Sequence, residues 1–290
     1  MLSERDPKSE PIQPVPFVEL NDGHHMPRLG FGVWQVPNDE VGTSVQEALS
    51  VGYRSIDTAQ GYDNEEGVGA AIRESAYDRE TLFITSKLRT KSMGYDSTLD
   101  GIRSSLDKLG LDYLDLFLIH WPVPARGTYV DTWKALIKAR EDGLVRSIGV
   151  SNFLPEHIDR IIEETGIIPA VNQLETHPRF QQRDVRDYHL KHGIRLESYS
   201  PLGHGEVLKD PVIARIAKKY RRSQAQIILR WHMQEDLIAI PKSVTADRIA
   251  ANFEIFDFEL DDQDVAAIAG LDDPKGGRTG SDPATFNDLY

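Results

Sequence analysis

Four residues in the first half of the 290-residue chain carry side chains that could together transfer a proton: Asp57, Tyr62, Lys87 and His120. A tyrosine, with a pKa of about 10, is a weak proton donor at pH 7. A nearby ammonium stabilises the phenolate and lowers that pKa, while a buried carboxylate keeps the ammonium charged and oriented. Tyr62, Lys87 and Asp57 are the residue types that such a device requires. His120 could donate a hydrogen bond to a carbonyl oxygen and polarise it.

Each of these residues also has a structural interpretation. Asp57 and Lys87 could form an ion pair that holds two strands together, and His120 could be a histidine whose hydrogen bonds are satisfied in the core. Which interpretation holds depends on where the secondary-structure elements place these residues.

From residue 29 onward, short apolar segments alternate with amphipathic ones. The apolar segments predict eight strands near residues 29–32, 53–56, 82–85, 113–119, 146–150, 170–174, 194–197 and 237–240. The amphipathic segments predict helices over residues 40–50, 65–75, 97–109, 132–141, 155–164, 183–191, 211–220 and 223–234. Strands that alternate with helices of about ten residues are typical of parallel βαβ units, and eight such units predict a (β/α)8 TIM barrel.

A doubly wound sheet is the alternative α/β fold. It normally carries a G-x-G-x-x-G turn after the first strand. The segments "GFGVWQ" and "GVGAAI" each contain the first two glycines and lack the third. The barrel is therefore favoured.

Chemistry in such a barrel takes place where the strands end and the βα loops begin. Polar or ionisable residues follow seven consecutive predicted strands, about one βα unit apart, which is unlikely to be an accident of solvent exposure. These residues are Asp57, Lys87, His120, Ser151–Asn152, Gln173, Tyr199–Ser200 and Lys242.

The N-terminal region precedes the alternation. Asn21-Asp22-Gly23 lies between two short alternating segments and predicts a β-hairpin. Residues 1–16 are polar and rich in proline, which predicts a flexible tail without a secretory signal. Since no linker or change of composition follows, residues 17–290 are expected to form a single domain.

The amino-acid composition indicates which classes of binding partner are disfavoured. The net charge is −13, from 33 Lys and Arg against 46 Asp and Glu, which disfavours nucleic acid and anionic membranes as partners. The chain contains no cysteine, so disulfides and thiol catalysis are excluded, and a cytoplasmic location is expected. No segment reaches the roughly 18 apolar residues of a membrane-spanning helix. The pairs His24–His25 and His189/His192 have no third ligand at a recognisable spacing, so no metal is predicted.

Six ordered segments carry a family resemblance: "GYRSIDTAQGYDNEEGVG", "LIHWP", "GVSNF", "VNQLETHP", "YSPLG" and "IPKSVTADRIAANFEIFDFEL". Together they resemble the aldo-keto reductases, in particular the bacterial branch with 2,5-diketogluconate and glyoxal or methylglyoxal reductases. The resemblance runs from about Phe17 to the end of the chain. It implies a catalytic tetrad of Asp57, Tyr62, Lys87 and His120, with Tyr62 as the proton donor, and it implies NADPH as the cofactor.

The resemblance also implies how the cofactor is held. Ser151, Asn152 and Gln173 would bind the nicotinamide carboxamide, and Tyr199 would stack on the ring. Ser200 and the backbone of Leu202 would contact the pyrophosphate. The segment after the last strand would hold the adenosine end, with Lys242, Ser243 and Arg248 near the 2′-phosphate and Asn252 near adenine. Lysine and arginine suit a dianionic phosphate, so NADP(H) is favoured over NAD(H).

Trp34 and Trp121 would form walls of the substrate pocket, and the C-terminal segment "GGRTGSDPATFNDLY" would close it. Two positions depart from the pattern of the relatives. Arg89 stands where they often have an aromatic or small residue, so it could bind an anionic substrate or simply be a surface arginine. Tyr199 stands where close relatives often have tryptophan.

The resulting hypothesis is an NADPH-dependent reductase of aldehydes or ketones, expected to be a monomer, whose physiological substrate stays open. Two alternatives are a non-catalytic nicotinamide-binding barrel that senses redox state and a barrel hydrolase or isomerase that binds no nicotinamide. A short-chain dehydrogenase would need Tyr-x-x-x-Lys, and none of the ten tyrosines has a lysine four residues later.

Overall fold

The computed structural model describes residues 15–290. The flexible tail predicted over residues 1–16 therefore falls almost entirely on residues 1–14, which lie outside the described residues. Val15 is buried, and the carbonyl of Pro16 accepts a hydrogen bond of 2.8 Å from the backbone N–H of Arg28.

A two-stranded antiparallel hairpin comes first, as the sequence predicts. Strands β1 (Phe17–Glu19) and β2 (His25–Pro27) pair with Val18 opposite Met26. The turn between them contains Gly23 at φ +87°, a conformation that glycine adopts without steric cost.

Eight further strands form one sheet in which each strand pairs in parallel with its neighbour in sequence. They are β3 (Phe31–Gly32), β4 (Ser55–Asp57), β5 (Phe83–Leu88), β6 (Leu114–Ile119), β7 (Val145–Ser151), β8 (Val171–Glu175), β9 (Arg195–Tyr199) and β10 (Ile238–Ala239). A parallel bridge between Leu29 and Ala239 joins the first of these strands to the last. The sheet is thereby closed, and the predicted (β/α)8 barrel is confirmed.

Two glycines permit the first and last barrel strands to approach each other. A Cβ on Gly30 would lie 3.0 Å from Ser55 Oγ and 3.0 Å from a side-chain carbon of Ile240. A Cβ on Gly32 would lie 3.1 Å from the backbone oxygen of Ile240. Larger residues at these positions would push the two strands apart, so the glycines belong to the closure of the barrel.

Ten α-helices accompany the strands in the described part of the chain. They are α1 (Val41–Val51), α2 (Glu65–Glu74), α3 (Tyr95–Leu109), α4 (Tyr129–Glu141), α5 (Pro155–Thr165), α6 (Arg183–His192), α7 (Pro211–Tyr220), α8 (Gln224–Gln234), α9 (Ala246–Phe253) and α10 (Asp262–Ala269). Across residues 15–290, no helix combines the length and apolar character needed to cross a membrane.

The helices α9 and α10 are absent from the sequence prediction. Each has only eight residues, too short for the apolar periodicity to stand out from the adjoining loops. Both α7 and α8 lie between β9 and β10, so α7 is an addition to the βα repeat, and α10 packs against it. Helix α9 follows the last strand and packs on α1, which completes the outer ring.

Sequence signals at the helix ends explain where several helices begin. The side chain of Ser223 accepts a hydrogen bond of 3.2 Å from the backbone N–H of Gln226, whose side chain in turn accepts one from the Ser223 N–H. This reciprocal capping satisfies N–H groups that have no partner inside α8. At α7, Asp210 caps the helix and Pro211 occupies its first turn, where the missing N–H of proline costs nothing.

The N-terminal end of the barrel interior is apolar. Val18, Leu20 and Met26 of the hairpin pack against side chains at the start of the barrel strands, among them Phe83 and Leu116. The hairpin thus closes this end of the barrel with apolar side chains.

We expect Met26→Ala to destabilise the protein by about 2–4 kcal/mol, because the methionine is fully buried and its removal leaves a cavity beneath the barrel. Urea unfolding would measure the change. Phe17→Ala is the matched control on the same hairpin: Phe17 is 57% exposed, so its loss should cost about 0.5 kcal/mol or less. Equal losses in both variants would contradict the role of the hairpin as an apolar closure.

Candidate active site

Polar side chains from six consecutive strands meet at the C-terminal end of the barrel. Because the strands are parallel, their carboxyl ends lie at the same rim. The residues are Asp57 at the end of β4, Lys87 on β5, His120 directly after β6, Ser151 at the end of β7, Gln173 on β8 and Tyr199 at the end of β9. The structure thus brings together residues that are distant in the sequence.

Lys87 lies at the centre of this group and is fully buried. Its Nζ donates hydrogen bonds to Asp57 Oδ1 at 2.6 Å, to the backbone oxygen of Thr58 at 2.9 Å and to the Tyr62 hydroxyl at 3.3 Å. Burial alone would lower the pKa of Lys87, but the Asp57 carboxylate, together with Tyr62 and Glu197, raises it above its usual value. The ammonium therefore stays charged at neutral pH.

Tyr62 reaches the ammonium from a short 3-10 turn, Gln60–Tyr62, that follows β4. Burial raises the pKa of Tyr62, and the nearby Lys87 opposes the rise without cancelling it. The residue types alone predict that the ammonium lowers this pKa overall, and this direction is wrong in the structure. Burial dominates because the charged phenolate loses its hydration in the barrel. The phenol consequently keeps its proton at neutral pH.

His120 faces Tyr62 edge to face, with ring centroids 5.8 Å apart. Burial, with a further contribution from Lys87, holds the pKa of His120 well below its usual value, so the imidazole is neutral. Its Nδ1 lies 3.0 Å from the hydroxyl of Tyr290. If that hydroxyl donates to Nδ1, the ring proton is on Nε2, from which it can be donated to a ligand.

Gln173 connects the ion pair to a second buried acid. Its Nε2 donates to Asp57 Oδ2 at 2.8 Å and to Glu197 Oε2 at 2.7 Å. Glu197 was not predicted as a site residue, although a glutamate inside the strand predicted over residues 194–197 is a detectable signal. Its position two residues before Tyr199 places both side chains on the inner face of the strand.

Ser151, Asn152 and Tyr199 form a hydrogen-bonded set beside this cluster. Ser151 Oγ donates to the backbone oxygen of Gln173 at 2.9 Å, and Asn152 Nδ2 donates to the backbone oxygen of His120 at 3.0 Å. The Tyr199 hydroxyl donates to Asn152 Oδ1 at 2.9 Å. Asn152 adopts φ +60°, in the left-handed region that asparagine tolerates.

The loop after β9 contains Ser200 and Leu202. Ser200 Oγ lies 3.2 Å from Nε2 of His204, and the exposed Trp34 meets the His204 ring edge to face at 5.8 Å. Trp34 therefore lies against this loop as well as at the barrel rim, a contact that the sequence analysis did not predict.

Lys242, Ser243, Arg248 and Asn252 lie on the segment that follows β10 and on α9. Lys242 and Arg248 are exposed, and neither takes part in an ion pair among residues 15–290. Ser243 Oγ accepts a hydrogen bond of 3.1 Å from the N–H of Thr245, while Asn252 is buried on α9. The structure thus gathers two unpaired cations on one short segment of an acidic protein.

The C-terminal segment covers the rim. Trp121 stacks on Phe286 with ring centroids 4.0 Å apart, and Tyr290 lies over His120. The sequence does not predict these two contacts, because they join residues that lie far apart in the chain. Arg89 forms an ion pair with Asp63, so its charge is already matched in this structure.

Glu175, at the end of β8, anchors the same segment. It accepts hydrogen bonds from the backbone N–H groups of Thr279 at 2.7 Å and Gly280 at 2.9 Å. His177 Nε2 lies 3.2 Å from the same carboxylate. Burial would raise the pKa of Glu175, but the hydrogen bonds from His177, Thr279 and Gly280 lower it to about 2.

The histidine pairs noted in the sequence contact protein groups: His24 Nδ1 lies 3.3 Å from Asp22 Oδ1. His189 Nε2 lies 3.0 Å from Asn172 Nδ2, and His192 Nδ1 lies 2.9 Å from the backbone oxygen of Tyr188. Over residues 15–290, no three side chains from His, Cys, Asp and Glu form a group that could hold a metal ion.

We expect Glu175→Gln to destabilise the protein at pH 7 by about 3 kcal/mol, the free-energy equivalent of its lowered pKa. The carboxylate stabilises the fold above the unfolded pKa of 4.5, and this stabilisation is lost as the pH falls toward 2. The difference between wild type and variant should therefore narrow below pH 4.5 in thermal denaturation. The exposed Glu66→Gln is the control and should show no such difference.

Comparison with known proteins agrees with this geometry. The model of the "Aldo/keto reductase family" matches residues 28–273. An aldo-keto reductase of Mycolicibacterium smegmatis is 52% identical over 272 residues, covering 94% of this chain and 98% of the relative. The methylglyoxal reductase DkgA of Escherichia coli is 49% identical over 271 residues, covering 93% of this chain and 97% of the relative.

Solved structures agree as well. A variant of Gox0644 in complex with NADPH superposes with a TM-score of 0.90 at 50% identity, covering 93% of this chain and 98% of that one. A Bombyx mori aldo-keto reductase in complex with NADP superposes with a TM-score of 0.87 at 37% identity, covering 94% of this chain and 98% of that one. The resemblance inferred from the six sequence segments is confirmed, and the chain belongs to the aldo/keto reductase family.

Proposed function

We propose that the protein is an NADPH-dependent oxidoreductase that reduces aldehydes or ketones to alcohols, with small dicarbonyls, keto-sugars and aldoses as the candidate substrates. The observation that carries the proposal is the buried ammonium of Lys87, 2.6 Å from Asp57 Oδ1 and 3.3 Å from the Tyr62 hydroxyl. Similarity to methylglyoxal reductases and to NADPH-bound structures supports both the reaction and the cofactor.

The residues present suit NADPH. Lys242 and Arg248 offer unpaired positive charge to a 2′-phosphate, and the carboxamide oxygen of Gln173 has no protein donor among the described residues. Bound NADPH supplies the hydride that reduces the carbonyl carbon. The residues that would hold it are Ser151, Asn152 and Gln173 at the carboxamide, Tyr199 at the ring, Ser200 and Leu202 at the pyrophosphate, and Lys242, Ser243, Arg248 and Asn252 at the adenosine end.

In this proposal Tyr62 gives its proton to the carbonyl oxygen as negative charge develops there. The phenolate that remains is stabilised by Lys87, which Asp57 holds in place. His120, as a neutral imidazole, donates a hydrogen bond to the same oxygen and orients the carbonyl group.

The substrate would bind between Trp34, Trp121 and the C-terminal segment, where aromatic rings favour small or planar carbonyl compounds. An anionic substrate could reach Arg89 only by competing with Asp63, with which Arg89 is paired. The pairing therefore argues for neutral substrates over anionic ones.

The alternatives are less well supported. A redox sensor without activity does not require a proton donor in contact with a buried ammonium, and a hydrolase or isomerase does not require unpaired cations after the last strand. A monomeric state, a location in the cytoplasm and the absence of nucleic-acid partners stay predictions.

We expect Tyr62→Phe to lower kcat by about 10²–10⁴, the usual contribution of a general acid, because the proton donor is removed. NADPH affinity should change little, since the hydroxyl acts only in the transition state. The assay is NADPH oxidation with methylglyoxal, phenylglyoxal, an aldose and 2,5-diketogluconate. Tyr95→Phe, on the exposed face of α3, is the control. Undiminished turnover in the Tyr62 variant would refute the assignment of the proton donor.

We expect Lys242→Ala to weaken NADPH binding by about 1–3 kcal/mol, the contribution of a charged hydrogen bond to the 2′-phosphate. NADH lacks this phosphate, so its affinity should be nearly unchanged. Fluorescence titration with each cofactor measures both values, and the exposed Lys218→Ala controls for the loss of one positive charge. An equal loss for the two cofactors would argue against a phosphate site at Lys242.

A further inference from the structure

Glu197 is a buried acid to which the proposed reaction gives no role. It lies on β9, fully buried, with Gln173 of β8 and Ile238 of β10 beside it in the sheet. The side chain points into the barrel, on the same face of the strand as Tyr199. A carboxyl group is costly at such a depth unless it forms a specific hydrogen bond, and Glu197 accepts one from Gln173.

That contact, together with Asp57, determines which way the Gln173 amide faces. Nε2 lies 2.8 Å from Asp57 Oδ2 and 2.7 Å from Glu197 Oε2, so both of its hydrogens are in use. The Asp57 carboxylate, paired with Lys87, can only accept hydrogen bonds, so the nitrogen and not the oxygen must face it. The carboxamide oxygen Oε1 is left free for a ligand.

We propose that Glu197 is a positioning residue that, with Asp57, fixes the Gln173 side chain so that its carboxamide oxygen accepts a hydrogen bond from the amide group of the nicotinamide. This inference rests on the proposed NADPH-dependent function and adds to it a residue that touches neither cofactor nor substrate. Without Glu197 one amide hydrogen of Gln173 loses its acceptor, and the hydrogen bond to Asp57 alone holds the side chain in the binding orientation.

The charge of the cluster is compatible with this role. The titratable groups that face Glu197 are Asp57, Lys87 and Tyr62, while its neighbour on β10, Ile238, is apolar. Burial, reinforced by Asp57, raises the pKa of Glu197 well above its usual value. The protonated form of the acid is therefore favoured. With the proton on Oε1, which has no other partner, Oε2 still accepts from Gln173.

Three variants at position 197 test the proposal, with dissociation constants measured by fluorescence titration or calorimetry. Glu197→Gln resembles the protonated acid and keeps an acceptor oxygen, so NADPH affinity should stay within about threefold of wild type. Glu197→Met fills a similar volume without a hydrogen-bond acceptor. It should weaken NADPH binding about tenfold, the effect of losing one hydrogen bond. Glu197→Asp withdraws the carboxyl group by one methylene and should weaken NADPH several-fold with less risk to folding.

Adenosine 2′,5′-bisphosphate is the matched probe because it carries the 2′-phosphate and adenosine but no nicotinamide. Its affinity should be the same in wild type and all three variants. A general structural defect would weaken the binding of both ligands, whereas the loss of the Gln173 orientation would weaken the binding of NADPH alone.

Unchanged NADPH affinity in Glu197→Met and Glu197→Asp would overturn the positioning role, and so would a parallel loss for the bisphosphate. Failure of the wild-type protein to bind NADPH would instead overturn the proposed function, and this role with it. The two failures are thus distinguished by the wild-type measurement.

Discussion

The buried ion pair between Lys87 and Asp57 is the interaction on which the rest of the site depends. Both residues are at most 2% exposed, so neither charge retains its hydration. Removing two charges from water costs several kcal/mol for each ion, and their attraction offsets this cost only when further hydrogen bonds complete the geometry. Thr58 O accepts from the ammonium and Gln173 donates to the carboxylate, which supplies those bonds. Such a pair contributes little to stability but holds a charged ammonium beside a phenol.

The barrel makes this arrangement possible by separating two kinds of interior. At the N-terminal end, the hairpin and the first residues of the strands form an apolar layer around Met26 and Leu116. At the C-terminal end, the inward positions carry Asp57, Lys87, Gln173 and Glu197. Since side chains alternate along each strand, a displacement of one residue in register would move these groups to the outer face. The pairing of Gln173 with Glu197, and of Asp57 with Thr85, fixes that register.

Much of this could be predicted from the sequence because it depends on local periodicity. The alternation of strands and helices locates the strand ends, and the strand ends locate Asp57, Lys87, His120 and Gln173. Contacts between distant segments leave no such periodic signal. Tyr290 meets His120, and Thr279 meets Glu175, across more than a hundred residues, and a loop without regular structure carries both contacts. Helices α9 and α10 were not predicted because eight residues show too little apolar periodicity.

The direction of the Tyr62 pKa also lay beyond the sequence, because it depends on depth of burial. Residue types alone indicate that a lysine near a tyrosine favours the phenolate, whereas burial in the barrel favours the neutral phenol more strongly. The two effects suit successive stages of a proton transfer. Before reaction, burial keeps the proton on the hydroxyl at neutral pH, so the donor is present in its active form. After transfer, the ammonium 3.3 Å away is the group that stabilises the negative oxygen. A phenol ionised from the start would have no proton to give.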